Sequence, residues 1–150
     1  MPRIALQMVM RATPERCFDL SRDVSVHLSS TGKGKERAVG GVTEGLLELG
    51  NEVTFEASRL GLRWRMTSRI AEFDRPRRFV DEMSKGPFKR WRHEHLFEPL
   101  PEGTLMIDNV DYAPLFWPLS WPVDRLFVRW YMRRMMIQRN AHIRALAERA

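Results

Sequence analysis

The sequence predicts an α+β fold: an opening strand, two short helices, a run of about six antiparallel strands and one long terminal helix. Three observations carry this. Residues 121–149 contain no helix breaker after Pro122, which sits where a first helical turn tolerates proline. Residues 52–112 alternate apolar and polar side chains between turn signals. Between the opening strand and that run, Thr13-Pro14-Glu15 reads as N-cap, first helical residue and first-turn acid.

In order, Ile4, Leu6, Met8 and Met10 alternate with Ala5, Gln7, Val9 and Arg11 as a mostly apolar strand. The first helix runs to about Ser21 or Arg22, and a second short one runs from Asp23 toward Ser29; residues 29–34 read as a loop. Residues 35–39 make a short strand and Gly40-Gly41 a break. Residues 42–51 hold an apolar patch between glycines that is expected to enter the interior. Val53, Phe55 and Ala57 then share one face, as do Leu62, Trp64, Met66, Ser68 and Ile70. A hairpin about Leu60-Gly61 sets Glu56 opposite Arg65, Glu52 opposite Arg69 and Phe55 opposite Met66, so both faces agree on one register. Leucine is a poor residue for positive φ, which points to a turn longer than two residues. Residues 79–84 begin the next strand. Gly86-Pro87 turns into residues 88–98, where Trp91, His93, His95 and Phe97 share a face. Pro99 to Gly103 turns again into a last strand at residues 104–112.

Wound at about 100° per residue, the terminal helix places Val123, Leu126, Phe127, Trp130, Tyr131, Ile137, Ala141, Ala145 and Leu146 on one arc, expected to be buried. Arg125, Arg129, Arg133 and Asn140 fall opposite. Arg134 and Gln138 land inside the apolar arc, which is the first sign of a cavity: buried polar groups need partners.

The totals narrow the class. At 150 residues the chain fits one domain, residues 1–150. The N-terminal Met-Pro-Arg-Ile opens no signal peptide, and no segment nears the roughly 20 apolar residues of a membrane span, so a cytoplasmic location is the default. One cysteine, Cys17, excludes an internal disulfide and any multi-cysteine metal site, and is read as a small buried residue rather than a reactive thiol. The net charge of +6 comes mostly from arginines spread over strands and helix, without the dense stripe that nucleic-acid binding wants.

The order of elements, and the wording of Gly86-Pro87-Phe88, Trp91, His93-Glu94-His95, Phe97-Glu98 and Gly103-Thr104 through Met106, Asp108, Val110, Asp111 and Tyr112, resembles the START-like, or SRPBCC, superfamily. Within it the chain is similar to a bacterial subgroup labelled polyketide cyclase/dehydrase-like. The resemblance implies the helix-grip fold: a curved antiparallel sheet of about six or seven strands wrapped on the C-terminal helix around an apolar cavity. It implies no particular ligand or catalytic set.

Candidate chemistry centres on His93 and His95, which strand spacing aims the same way. Two such ligands do not make a metal site. The pair reads as metal-directed, as hydrogen-bonding groups lining a pocket, or as structural histidines. Asp108 and Asp111, on opposite faces of one strand, could join them; Asp81, Asp108 and Asp111 could each act as a general base or pair with arginines. Residues 115–121 are unusually apolar for a connector, and packing or a lid is favoured over membrane contact.

The reading is a binding module for an apolar or amphipathic small molecule such as a lipid, quinone or polyketide, with no cofactor and no metal. The expected wall is Phe55, Trp64, Met66, Trp91, His93, His95, Trp130 and Tyr131, with Arg134 and Gln138 at the polar end. The alternatives are a cyclase- or dehydratase-like enzyme moving protons with His93, His95 or an aspartate such as Asp108, and lipid or quinone handling at a membrane surface. Oligomeric state is left open.

Overall fold

A computed structural model describes residues 2–31, 36–59, 61–116 and 118–149. Its elements are β1 (Arg3–Met10), α1 (Pro14–Ser21), α2 (Val24–Ser30), β2 (Glu36–Gly41), β3 (Glu52–Arg59), β4 (Leu62–Asp74), β5 (Arg78–Lys85), β6 (Phe88–Leu100), β7 (Gly103–Pro114), α3 (Trp121–Val123), a π-helical turn at Asp124–Val128, and α4 (Arg129–Ala147). The strands form one open antiparallel sheet in the order β1-β7-β6-β5-β4-β3-β2, and α4 contacts both small helices and β1. This is the helix-grip arrangement of a seven-stranded sheet and a long C-terminal helix.

Local chemistry sets the small helices as expected. The Thr13 hydroxyl accepts from the Arg16 N–H, and the Asp23 carboxylate accepts from Ser25 and Val26, so each N-cap satisfies donors that the first turn leaves unpaired. The β3–β4 ladder pairs Glu56 with Arg65, Glu52 with Arg69 and Phe55 with Met66. Glu56 takes hydrogen bonds from Arg37 at 2.6 Å and Arg65 at 2.7 Å, and these pull its pKa down to about 2. Leu60, the turn residue, lies outside the described residues, as do Gly32, Lys33, Gly34 and Lys35 of the loop before β2.

At Gly103 only glycine fits. Its φ is +152° and a Cβ there would stand 2.1 Å from the Met10 carbonyl oxygen, across the β1–β7 pairing. Gly103→Ala is expected to cost at least about 2 kcal/mol, measured as a lower urea midpoint at unchanged slope; a cost near zero would mean the backbone relaxes freely there.

Two expectations are corrected. In residues 42–51 the apolar patch does not enter the interior: Leu46 and Leu49 are exposed and only Leu47 packs on the core. Backbone bonds from Val24 to Gly45 and from Leu47 to Arg22 tie this segment to the α1–α2 junction instead.

The terminal helix is also rotated relative to its predicted face. The buried positions of α4 are Met136, Asn140, Ile143 and Ala147, whereas Val123, Leu126, Trp130 and Ile137 face outward. Buried polar bonds decide the rotation. Asp124 accepts the Tyr112 hydroxyl at 2.7 Å, and Asn140 donates to the fully buried Asp108 at 2.7 Å. Turning the aromatic arc inward would leave those groups unpaired.

Along β6, Trp91, His93, His95 and Phe97 point to the helix side of the sheet; along β7, Thr104, Met106, Asp108, Val110 and Tyr112 do the same. Phe97 and Met106 belong to one apolar cluster with Phe18, Phe79 and Ile143. Trp91, Val110 and Tyr112 belong to another with Ile4 and Met136. The histidines and Asp108 fill the rows between them, so the buried polar cluster divides the core.

Candidate functional site: an apolar cavity with a buried histidine–aspartate cluster

Between sheet and helix lies a cavity of about 480 Å³, within the range of small-molecule sites. From the sheet it is walled by Val53, Phe55, Ala57, Trp64, Met66, Ser68, Ile70, Phe79, Phe88 and Trp91. From the helix side come Phe127, Val128, Tyr131, Met132, Met135, Met136 and Arg139. Of the residues expected to form the wall, Phe55, Trp64, Met66, Trp91, His93, His95 and Tyr131 do line it. Trp130, Arg134 and Gln138 do not: all three are exposed on the outer side of the helix, with the Arg134 guanidinium 5.5 Å from the centre of the Trp130 ring. The same rotation that buries Asn140 carries them away from the cavity.

Arg22, held by Asp19 and Glu48, lines the cavity too, but the cation beside the histidine–aspartate cluster is Arg139, one position past Gln138. An arginine riding the stripe of Met132, Met135, Met136 and Ile143, spaced three and four apart, was the signal that could have found it. His27 and Glu36, 3.0 Å apart, also line the cavity, with the His27 ring against Phe55. Nothing in the local sequence marks that pair, because α2 and β2 meet only in the fold.

The polar end is a connected set. His93 Nε2 lies 2.7 Å from Asp108 Oδ1, and His95 Nε2 lies 2.7 Å from Asp81 Oδ2. The two imidazoles stack at 3.8 Å between centres, and Phe79 stacks on His95 at 4.1 Å. Asp108 sits behind both rings and does not line the cavity. Its second oxygen takes the Asn140 amide, whose own oxygen accepts from Arg139 at 2.9 Å. Arg139 stands 3.7 Å from Asp108, and His95 Nδ1 stands 3.2 Å from it, buried and without the alignment of a hydrogen bond. Asp111 faces the other way, 3.8 Å from Arg3.

Protonation follows from these contacts. Burial would raise Asp108, yet His93 and His95 hold it well below the usual carboxylate range. Burial would likewise raise Asp81, and the His95 bond with the nearby imidazoles keeps it low. Burial lowers His95 too, but Asp108 and Asp81 outweigh it and raise the imidazole. His93 is lowered by burial and by the charge on His95, against the pull of Asp108. These opposite directions place the cluster's proton preference on His95, between the two carboxylates, rather than on His93, with Arg139 close to Asp108 as a further positive charge.

Asp81, His93 and His95 offer ligand atoms within 4.8 Å of one another and could hold a divalent ion, with Asp108 as the carboxylate behind the rings. An ion with bonds of about 2.0–2.2 Å would have to replace the proton that now joins His95 to Asp81. Cys17 is fully buried, and burial raises its thiol pKa, which fits a packing role.

Comparisons with known proteins agree with this architecture. A family model described as polyketide cyclase / dehydrase and lipid transport matches residues 1–148. Among solved structures, TTHA0849 from Thermus thermophilus is similar at 18% identity and a TM-score of 0.75, covering 96% of this chain and 95% of that one. Protein CV1439 from Chromobacterium violaceum is similar at 17% identity and a TM-score of 0.71, covering 99% and 98%. The major latex-like protein 151 of Panax ginseng is similar at 14% identity and a TM-score of 0.65, covering 97% of each chain. No curated protein sequence matches significantly. At these identities the structural likeness concerns the fold.

Proposed function

We propose that this chain, which belongs to the polyketide cyclase/dehydrase and lipid-transport family of the SRPBCC superfamily, binds a largely apolar small molecule with one polar end. The observation that carries this is the cavity itself: aromatic, methionine and aliphatic walls, with Arg139, His93, His95 and Asp81 gathered at one place. Apolar walls supply affinity through burial, and the clustered donors and acceptors orient a carbonyl, hydroxyl or carboxylate of the ligand. Lipid, quinone and polyketide-like molecules all carry such an end.

Native mass spectrometry of the purified protein beside a denatured control is the direct test. A reproducible non-covalent adduct is expected, and its identity chooses among these classes. Ala57→Phe, which fills space at the sheet wall, is expected to weaken an identified ligand by at least about tenfold in a fluorescence titration. Unchanged affinity would place the ligand elsewhere.

A second reading, favoured by the histidine cluster, is proton transfer on such a molecule. Burial and the charge of His95 hold the His93 pKa down, and the ring lines the cavity and is bonded to Asp108, which is the arrangement of a general base held by a carboxylate. His93→Gln is then expected to abolish turnover while leaving ligand affinity within a few-fold; loss of affinity alone would leave binding as the role of the cluster.

A further inference from the structure

Of the apolar arc that the sequence writes along its terminal helix, Phe127 and Tyr131 reach the cavity, and the fold leaves Val123, Leu126 and Trp130 outside. Val123 is 60% exposed, Leu126 81% and Trp130 55%, on one face of the helix. The connector before it adds Phe116 at 80%, Leu119 at 86% and Trp121 at 49%. Trp117, in the same connector, lies outside the described residues. Exposures this high at Phe116 and Leu119 run against the packing expected from the sequence; single exposed apolar residues are ordinary, but a concentrated set marks an interaction surface.

The charges around it choose the partner. Between residues 115 and 138 the one acidic residue is Asp124, buried and bonded to the Tyr112 hydroxyl. Arg125, Arg133 and Arg134 are exposed, as is Arg129, whose guanidinium donates to the Arg3 carbonyl. The Arg125 guanidinium lies 5.5 Å from the centre of the Trp121 ring, and Arg134 lies 5.5 Å from that of Trp130. Each pair sets an indole and a cation side by side, as at a boundary between hydrocarbon and phosphate. A second copy seated by a two-fold axis would bring these arginines against their own counterparts, with no exposed acid in the segment to meet them. Among the described residues no helix is long and apolar enough to cross a bilayer, so contact would be interfacial.

We propose that the outer face of Phe116 and of residues 118–134 docks on an anionic lipid surface, with the apolar arc at the boundary of head groups and acyl chains and the arginines on the phosphates. The same segment gives Phe127 and Val128 to the cavity wall, so the docked face adjoins the cavity. The docking itself requires no cavity ligand.

The test is co-sedimentation of the full chain with vesicles of phosphatidylcholine, alone or mixed with phosphatidylglycerol, at low and high salt. Binding to the mixed vesicles, weakened by salt, is expected. Arg133→Ala is expected to lower it about fivefold, since a basic residue near an anionic surface contributes about 1 kcal/mol. Leu126→Glu is expected to lower it further with an unchanged melting temperature. Leu49→Glu, the same change of charge at a residue exposed in the loop before β3, is expected to retain more binding than Leu126→Glu. The proposal is overturned by absence of binding to mixed vesicles, by equal and salt-insensitive binding to neutral ones, or by equal losses in the two glutamate variants. A solution dimer that Leu126→Glu dissolves would also overturn it, in favour of a second copy as the occupant.

Discussion

Asp108→Ala is expected to lower the stability of the folded chain by about 3–5 kcal/mol, the cost of leaving buried cationic partners without their counter-charge. Asp108 is fully buried; it receives His93 and Asn140 and stands close to His95 and Arg139. Removing it strips the His93 donor and the Asn140 amide of their acceptor and leaves Arg139 facing a cavity with less to balance it. At about 2–4 °C per kcal/mol for a chain of this size, the midpoint should fall by about 6–20 °C. Asp108→Asn keeps the volume and an acceptor oxygen and should cost less. Urea denaturation decides the matter: a cost under about 1 kcal/mol for the alanine variant would show that the cluster is not held together through Asp108.

Stability should also follow pH in a bell centred near the ordinary histidine value. His95 is raised in the folded state, so its contribution is fully present below the unfolded pKa and is lost as pH climbs through the folded one. His93 is lowered, so the unfolded chain binds the extra proton and stability falls as pH drops below about 6.5. Asp81 and Asp108 are lowered as well, and their contribution is lost as pH falls through their folded values, which makes the acid limb the steeper. Each proton taken up differently gives a slope of about 1.4 kcal/mol per pH unit. The check is a set of urea midpoints across pH for wild type and His95→Gln. The variant should lose the decline on the alkaline side, and an unaltered alkaline limb would assign that decline to another group.

Much of this molecule was legible from the sequence because its signals are local. Thr13-Pro14 and Asp23 start helices through bonds within one turn, and the β3–β4 register follows from charges and apolar residues that must agree across a single hairpin. The spacing of His93 and His95 likewise put both rings on one face, and the cavity lies on that face. What a strand or hairpin repeats every two residues is written in the chain.

The helix shows where that legibility stops. Its most apolar arc, Val123, Leu126 and Trp130, reads as the buried one when burial is judged by hydrophobicity alone. The folded chain instead buries Met136, Asn140 and Ile143, because Asp108, from a strand more than thirty residues earlier, needs the Asn140 amide, and Tyr112 needs Asp124. Which residue meets a buried carboxylate is a property of the assembled sheet and helix, and so the exchange of Arg134 and Gln138 for Arg139 could not be read from period and composition. Local signals along the chain set the elements, their order and the direction of the two histidines. Packing of helix on sheet chose the face of the helix, and with it which side chains close the cavity and which remain on the surface, since unpaired polar groups in the interior cost more than exposed apolar ones outside.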